Sequence, residues 1–228
     1  MKADCPHSAL WQATDTVLLD MDGTLLDLAF DNRFWLERVP ARYAELQGLA
    51  FDQALAQLKA RMAAVSGQLQ WYCLDYWSQT LGFDLEAMKR AHQQEIRYLP
   101  GVRDYLGHLK QSGRHVAIAT NAHPDVLRIK LAQTGLGELV DATHSAHDLG
   151  AAKEQAAFWQ ALERRVGFHP ERTLFVDDSL PVLASARDHG IAHLRAIARP
   201  ASDQPPRPID DFPAVEALPD LGPVPLRD

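Results

Sequence analysis

Two carboxylates two residues apart, Asp20 and Asp22, stand directly behind the apolar run TVLL in the stretch TVLLDMDGTLLD, residues 16–27. Ionised carboxylates at the end of a buried strand lose water and repel one another, so the arrangement asks for a counter-charge. Three other segments bring polar groups behind apolar runs or between helices. They are Thr120 and Asn121 in HVAIATNAHP, Lys153 in GAAKEQ, and Asp177 with Asp178 in TLFVDDS. A divalent cation would make the crowding of Asp20, Asp22, Asp177 and Asp178 tolerable, and hard oxygen donors that leave room for water and a phosphate suit Mg²⁺. With the phosphoryl oxygens neutralised, Asp20 is a competent nucleophile toward phosphorus and would form an aspartyl phosphate. Asp22, brought round by a turn that Gly23 permits, can protonate the leaving oxygen and then deprotonate the attacking water. The Thr120 hydroxyl and Asn121 can donate to phosphoryl oxygens, and Lys153 adds a positive point charge beside the nucleophile.

Residues so far apart meet only if the chain returns them to one place, and the apolar patterning predicts how. Residues 16–20, 115–120, 173–178 and 191–197 read as short buried strands, with 139–145 a weaker fifth. Near-continuous apolar runs suit a parallel sheet covered on both faces. Helix-length stretches between them stop at Gly113, Gly135, Gly167 and Gly190, and two open at Pro124 and Pro181. The expected fold class is α/β, a doubly wound, Rossmann-like parallel sheet whose strand ends share one crevice. Residues 28–99 break that rhythm. Phe51, Leu55, Leu58, Met62 and Val65 recur at helical spacing behind Asp52 as the expected N-cap, and no strand signal intervenes. An all-helical insertion after the first strand would fold over the carboxyl end of that strand as a cap. The expected organisation is a core of 1–27 and 100–198, a cap of 28–99, and a tail of 199–228. The tail holds eight of the 14 prolines and the single apolar patch FPAVEAL, and is expected to lie extended on the surface.

Taken together, DMDGT on the first strand, ATN on a later one, a lysine before a helix and FVDDS resemble the haloacid-dehalogenase-like phosphatase superfamily, in order and over residues 16–198. The resemblance implies a C1-type helical cap, Mg²⁺ as cofactor, and a phosphomonoester as substrate. It implies Asp20 as nucleophile and Asp22 as acid/base whose main-chain carbonyl also reaches the metal. Asp177 would be the third metal ligand, Asp178 a support for the metal or its water, and Thr120 and Lys153 the holders of the phosphoryl group. LLDMDGTLLDLAFDNRFW, WYCLDYW, TNAHP and ERTLFVDDS are further similar to the bacterial GMP/IMP nucleotidase branch, which implies a 5′-nucleotidase acting on purine monophosphates. In one departure, Ala152 precedes Lys153 and no proline follows it, where many relatives carry proline beside the lysine.

Composition removes other classes. The net charge of −7, without a Lys/Arg run of five, argues against nucleic-acid and anionic-membrane partners, while a local positive site for a small phosphorylated substrate remains open. Only Cys5 and Cys73 are present, so no disulfide framework is expected, and a reducing, cytoplasmic setting is. No stretch approaches the roughly 18 apolar residues of a membrane span, and the first residues lack a signal-peptide core. A monomer or a homodimer is expected. Trp71, Tyr72, Tyr76 and Trp77 suit either stacking of a base or helix packing. His123, His144 and His147 show no paired Cys/His spacing and read as loop histidines, with His123 a candidate substrate contact. Asp27, Asp31 and Asn32 sit where the chain leaves for the cap. Competing functions are a phosphatase of phosphoglycolate or sugar phosphates, a dehalogenase, for which Asp22 has no use, and a non-enzymatic phospho-receiver.

Overall fold

The computed structural model describes residues 7–227; Cys5 and Asp228 lie outside them. Thr16–Leu19 (β1) is at most 8% exposed, so both faces of this short β-branched and leucine-rich strand are covered. His115–Thr120 (β2) and Thr173–Asp177 (β4) flank it in parallel, Ala142–Ser145 (β3) lies beyond β2, and His193–Ile197 (β5) lies beyond β4. Ala214–Val215 (β6) completes a six-stranded parallel sheet of order β3-β2-β1-β4-β5-β6. The five predicted strands are present, each within the predicted span.

Two apolar layers close the sheet. Leu106 and Leu109 of the helix Val102–Gln111 and Ile129 of Pro124–Thr134 pack with Val17, Leu19 and Ile118 on one face. Phe158, Trp159 and Leu162 of Ala156–Val166 and Leu183 of Leu180–Asp188 pack with Leu18 and Phe175 on the other. The alternation of Val17 and Leu19 against Leu18 is the period-two pleat of the strand. Truncating one of these leucines to alanine would cost about 2–5 kcal/mol.

Register sets the site. Leu19 pairs with Ile118 on one side and Val176 on the other. One step further along, Asp20 is level with Ala119 and Asp177, and its N–H donates to the Val176 carbonyl at 2.9 Å.

Between β1 and β2 the described chain is helical, through Ala29–Arg33, Val39–Gln47, Phe51–Ala64, Leu69–Tyr72, Leu74–Leu81 and Leu85–Ala91. A π-helical segment, Phe34–Arg38, joins the first two. Pro40 follows it and has no N–H to give to the preceding turn, which the wider π turn absorbs. Phe34, Val39, Leu58, Leu74, Trp77 and Leu81 form this layer's own core. Of the predicted stripe, Leu58 is buried and Met62 and Val65 pack against this core, while Phe51 departs. Ala54 and Leu58 are buried, Phe51 is 41% exposed, and Ala50 rather than Asp52 takes the N-cap position. Phe51 is the first residue of its helix, where no neighbouring turn can cover it.

The C-terminal stretch is also more structured than an extended tail. Ala198 N–H donates to the Val215 carbonyl and Arg199 N–H to that of Glu216, which docks β6. The short 3₁₀ turn Leu218–Leu221 buries both leucines completely, and Arg114 binds the carbonyls of Thr14, Trp11 and Pro225. Among the described residues, no helix is long and apolar enough to cross a membrane.

Candidate active site

Asp20, Thr120 and Asp177 leave the carboxyl ends of three adjacent strands, and each is nearly inaccessible to solvent. Lys153 reaches them from the loop before Ala156–Val166. Its Nζ donates to Asp20 Oδ1, to Asp177 Oδ2 at 2.7 Å and to the Ala119 carbonyl at 3.0 Å. Without the proline common in relatives, the loop is fixed by hydrogen bonds. Asn121 Oδ1 accepts the Lys153 N–H at 2.8 Å, and the Trp159 indole N–H donates to the Lys153 carbonyl at 2.8 Å. Burial pulls the Lys153 ammonium down, but Asp177 and Asp20 more than reverse this and raise it. The pairing therefore favours the charged form.

Asp20, Asp177 and Asp178 offer carboxylate oxygens within 4.8 Å of one another. Burial pushes Asp20 up to about 7 against the pull of Lys153, and Asp177 adds to the rise. Asp178 is raised well above the usual carboxylate range by burial and by the charges of Asp177 and Asp20. One ammonium is thus too little positive charge for three carboxylates. An all-oxygen donor set short of positive charge fits a hard divalent cation.

Gly23 lets the loop after β1 approach that cluster. Its φ is +83°, and a Cβ added there would come 2.8 Å from Asp178 Cγ and 2.9 Å from Pro200 Cβ. The turn sends the Asp22 side chain to the opposite wall. Asp22 Oδ1 accepts from Lys130 Nζ at 2.5 Å, outside the carboxylate cluster. Lys130 also meets Asp31 Oδ2 at 2.5 Å, and Lys89 meets Asp31 Oδ1 at 2.6 Å. Lys89 also stands 4.1 Å from the centre of the Phe34 ring. Burial raises Asp22 to about 6, with Lys130 opposing and Asp31 and Asp20 adding to the rise. Asp31 is driven the other way, because two ammonium groups overcome its burial.

The remaining predicted residues divide. The Thr120 hydroxyl accepts from the Ala122 N–H at 3.1 Å and keeps its own proton free to donate. Asn121 Nδ2 donates to Glu154 Oε2 at 3.1 Å, and the Tyr72 hydroxyl donates to Glu154 Oε1. Burial, with the Glu154 carboxylate, pushes the Tyr72 phenol up, so it stays a donor. Trp71, Tyr72, His123 and Asn32 line the cavity of about 700 Å³ above Asp20 and Lys153. Trp77 is fully buried against Trp35 and Tyr76 and belongs to the helical layer's core. Asp27 binds Ser202, Ala29 and Arg97, knotting the C-terminal stretch to both ends of the helical insertion. His144 is buried on β3, with neither ring nitrogen bonded. Sequence reasoning missed Lys130, Lys89 and Glu154. Lys130 falls on an otherwise ordinary helix, and a lysine that turns inward leaves no periodic mark.

The sequence matches the family of haloacid dehalogenase-like hydrolases over residues 14–190. It is 42% identical over 192 residues to the GMP/IMP nucleotidase YrfG of Escherichia coli K12, spanning 84% of this chain and 86% of the relative. It is 27% identical over 184 residues to a phosphoglycolate phosphatase of Pseudomonas putida, spanning 77% and 66%. In fold, it resembles the crystal structure of an HAD phosphatase from Thermococcus onnurineus, with a TM-score of 0.76 at 21% identity over 91% of this chain and 96% of that one. Carboxylates gathered at the ends of parallel strands under a helical insertion, and a family match over most of its length, make this chain an enzyme that belongs to the haloacid dehalogenase-like hydrolases.

Proposed function

We propose that the protein is a Mg²⁺-dependent phosphomonoester hydrolase acting on purine nucleoside 5′-monophosphates. One observation carries the reading: Asp20, Lys153 and the Asp177/Asp178 pair converge at the floor of a cavity whose wall includes Trp71 and Tyr72. The 42% identity to a GMP/IMP nucleotidase supports the base preference. In this reading residues 28–99 act as the cap over a core of 1–27 and 100–198.

Asp20, Asp177, Asp178 and the main-chain carbonyl of Asp22 would hold Mg²⁺, which when bound neutralises charge on the phosphoryl oxygens. Asp20 attacks phosphorus while Asp22 gives its proton to the departing sugar oxygen. An aspartyl phosphate and a free nucleoside result. Asp22, now ionised, takes a proton from the attacking water, phosphate leaves, and Asp20 is regenerated. A carboxyl group raised to about 6 suits a group that must both give and take a proton near neutrality. Thr120, Asn121 and Lys153 orient the phosphoryl group, and Gly23 shapes the turn beside it. Trp71 and Tyr72 offer aromatic faces to a base, and His123 borders the same cavity.

A turnover panel tests the assignment, with IMP and GMP set against phosphoglycolate, sugar phosphates and a 2-haloacid, all with Mg²⁺. Purine monophosphates should give the highest kcat/KM. Sugar phosphates or phosphoglycolate ahead by tenfold or more, about 1.4 kcal/mol in transition-state binding, would remove the nucleotide assignment. Haloacid turnover that survives EDTA would remove the phosphatase one.

A further inference from the structure

A second set of metal-binding side chains lies on the seam between the helical insertion and the sheet. Cys73, His123 and His147 each bring one ligand atom, and the three atoms lie within 4.8 Å of one another. They come from three elements. Cys73 joins the helices Leu69–Tyr72 and Leu74–Leu81, His123 immediately precedes Pro124–Thr134, and His147 lies in the short helix Ala146–Leu149 that follows β3. Ligands drawn from three places have no common spacing in the chain, and for that reason the pattern of cysteines and histidines gave no zinc signal.

The local structure holds these atoms ready. The two imidazole rings meet edge to face with centroids 4.9 Å apart. His147 Nε2 is buried and has no hydrogen-bond partner. A buried ring nitrogen left without a partner, next to a thiol and a second imidazole, is costly unless something binds it. His123 is oriented by Asp125, whose N–H donates to Nδ1 at 3.4 Å and whose Oδ2 lies 3.5 Å from the same nitrogen. Asp75 Oδ2 stands 3.8 Å from His123 Nε2 and falls in a separate cluster with His123 and Asp125, not with Cys73 and His147. A second cavity, of about 470 Å³ and bordered by Cys73 and His147, offers a way in.

We infer that Cys73, His123 and His147 are the ligands of a site for a soft divalent cation of the Zn²⁺ class, which when filled ties the helical insertion to the core. One thiolate and two imidazoles, with water as the fourth donor, are the chemistry that tetrahedral Zn²⁺ accepts. The all-oxygen set of Asp20, Asp177 and Asp178 suits a hard cation instead. Binding releases the Cys73 thiol proton to solvent and involves no change of oxidation state.

The test uses the full chain, stripped of metal and carrying Cys5→Ser so that Cys73 is the sole thiol, held in excess Mg²⁺ and titrated with Co²⁺. A thiolate-to-cobalt charge-transfer band should reach its plateau at one Co²⁺ per chain and vanish on addition of stoichiometric Zn²⁺. Cys73→Ser keeps a good helix N-cap and should abolish the band. By calorimetry, Cys73→Ser and His147→Gln should each weaken Zn²⁺ binding by about 100-fold or more, beyond the roughly 10–100-fold that supporting groups cost. Zn²⁺ should also slow amide hydrogen exchange over Leu69–Leu81 in the parent and leave it unchanged in Cys73→Ser. A parent that shows no charge-transfer band at saturating Co²⁺, or equal Zn²⁺ affinity in the parent and Cys73→Ser, overturns the site.

Discussion

Replacing Lys130 with methionine keeps most of the side chain's apolar stem and removes the cation between Asp22 and Asp31. Both oxygen contacts are 2.5 Å, and Lys130 is 1% exposed. At an effective dielectric of about 20, Coulomb's law gives each contact roughly 6–7 kcal/mol in gross terms. The desolvation of three groups offsets most of that, and taking one partner out of a buried pair costs about 3–5 kcal/mol. For a chain of this size that corresponds to a fall in Tm of roughly 10 °C. The loss should depend on pH. Asp22 already stands at about 6 with Lys130 present and would rise further without it. A group whose folded pKa is raised contributes stability below its unfolded value, near 4, and loses it as pH rises through the folded pKa. At pH 5 the Asp22 of Lys130→Met is neutral and the defect is reduced to Asp31's loss of one of its two ammonium partners; at pH 8 Asp22 is also a buried, unpaired charge and the defect is full. Thermal unfolding followed by circular dichroism, in EDTA at both pH values, reads this directly. A variant that melts within about 2 °C of the parent at pH 8, or a deficit of equal size at pH 5, would refute the assignment of Lys130 as the counter-ion of Asp22.

Asp20→Asn should abolish turnover while Tm stays near that of the parent, and Asp22→Asn should lower kcat by about 10²–10⁴, both measured on IMP with saturating Mg²⁺. A near-parental Asp22→Asn would remove its role as acid and base. Gly23→Ala places a methyl group 2.8 Å from Asp178 Cγ at a φ of +83°. It should cost about 1–3 kcal/mol in stability and weaken Mg²⁺ binding by calorimetry, and an unchanged Mg²⁺ affinity would show that the loop does not shape the metal site. In metal-free protein, Asp20 at about 7 and Asp22 at about 6 withdraw stability as pH climbs from about 4 to 8. Added Mg²⁺ should therefore raise Tm more at pH 8 than at pH 5, and the opposite order would contradict the charge balance described for the cluster.

How much of this was legible in the chain follows from what leaves a repeating trace. The strands did, because TVLL and TLFV are apolar on both faces and no solvated segment reads that way. The acids at their ends, with Thr120 and Lys153, stood out because polar residues so placed need a reason. β6 did not, since two residues between Pro213 and Glu216 carry no period and their place is set by bonds to β5. Phe51 misled because size suggested burial, whereas the contact surface of that helix runs through the small Ala54. The chain Asp22–Lys130–Asp31–Lys89 and the Glu154 bridge between Asn121 and Tyr72 are tertiary facts. They join polar side chains 33 to 108 positions apart, and no local pattern encodes them.

The brevity of β6 bears on how the molecules behave in a crowd. A sheet edge with long rows of free amide and carbonyl groups recruits strands from other copies and seeds aggregates. Here that side ends in a two-residue strand preceded by Pro213, with Pro219 just beyond, so there is almost no template on which a stranger's backbone could zip. Intermolecular strand addition is left to the β3 side, itself only four residues long.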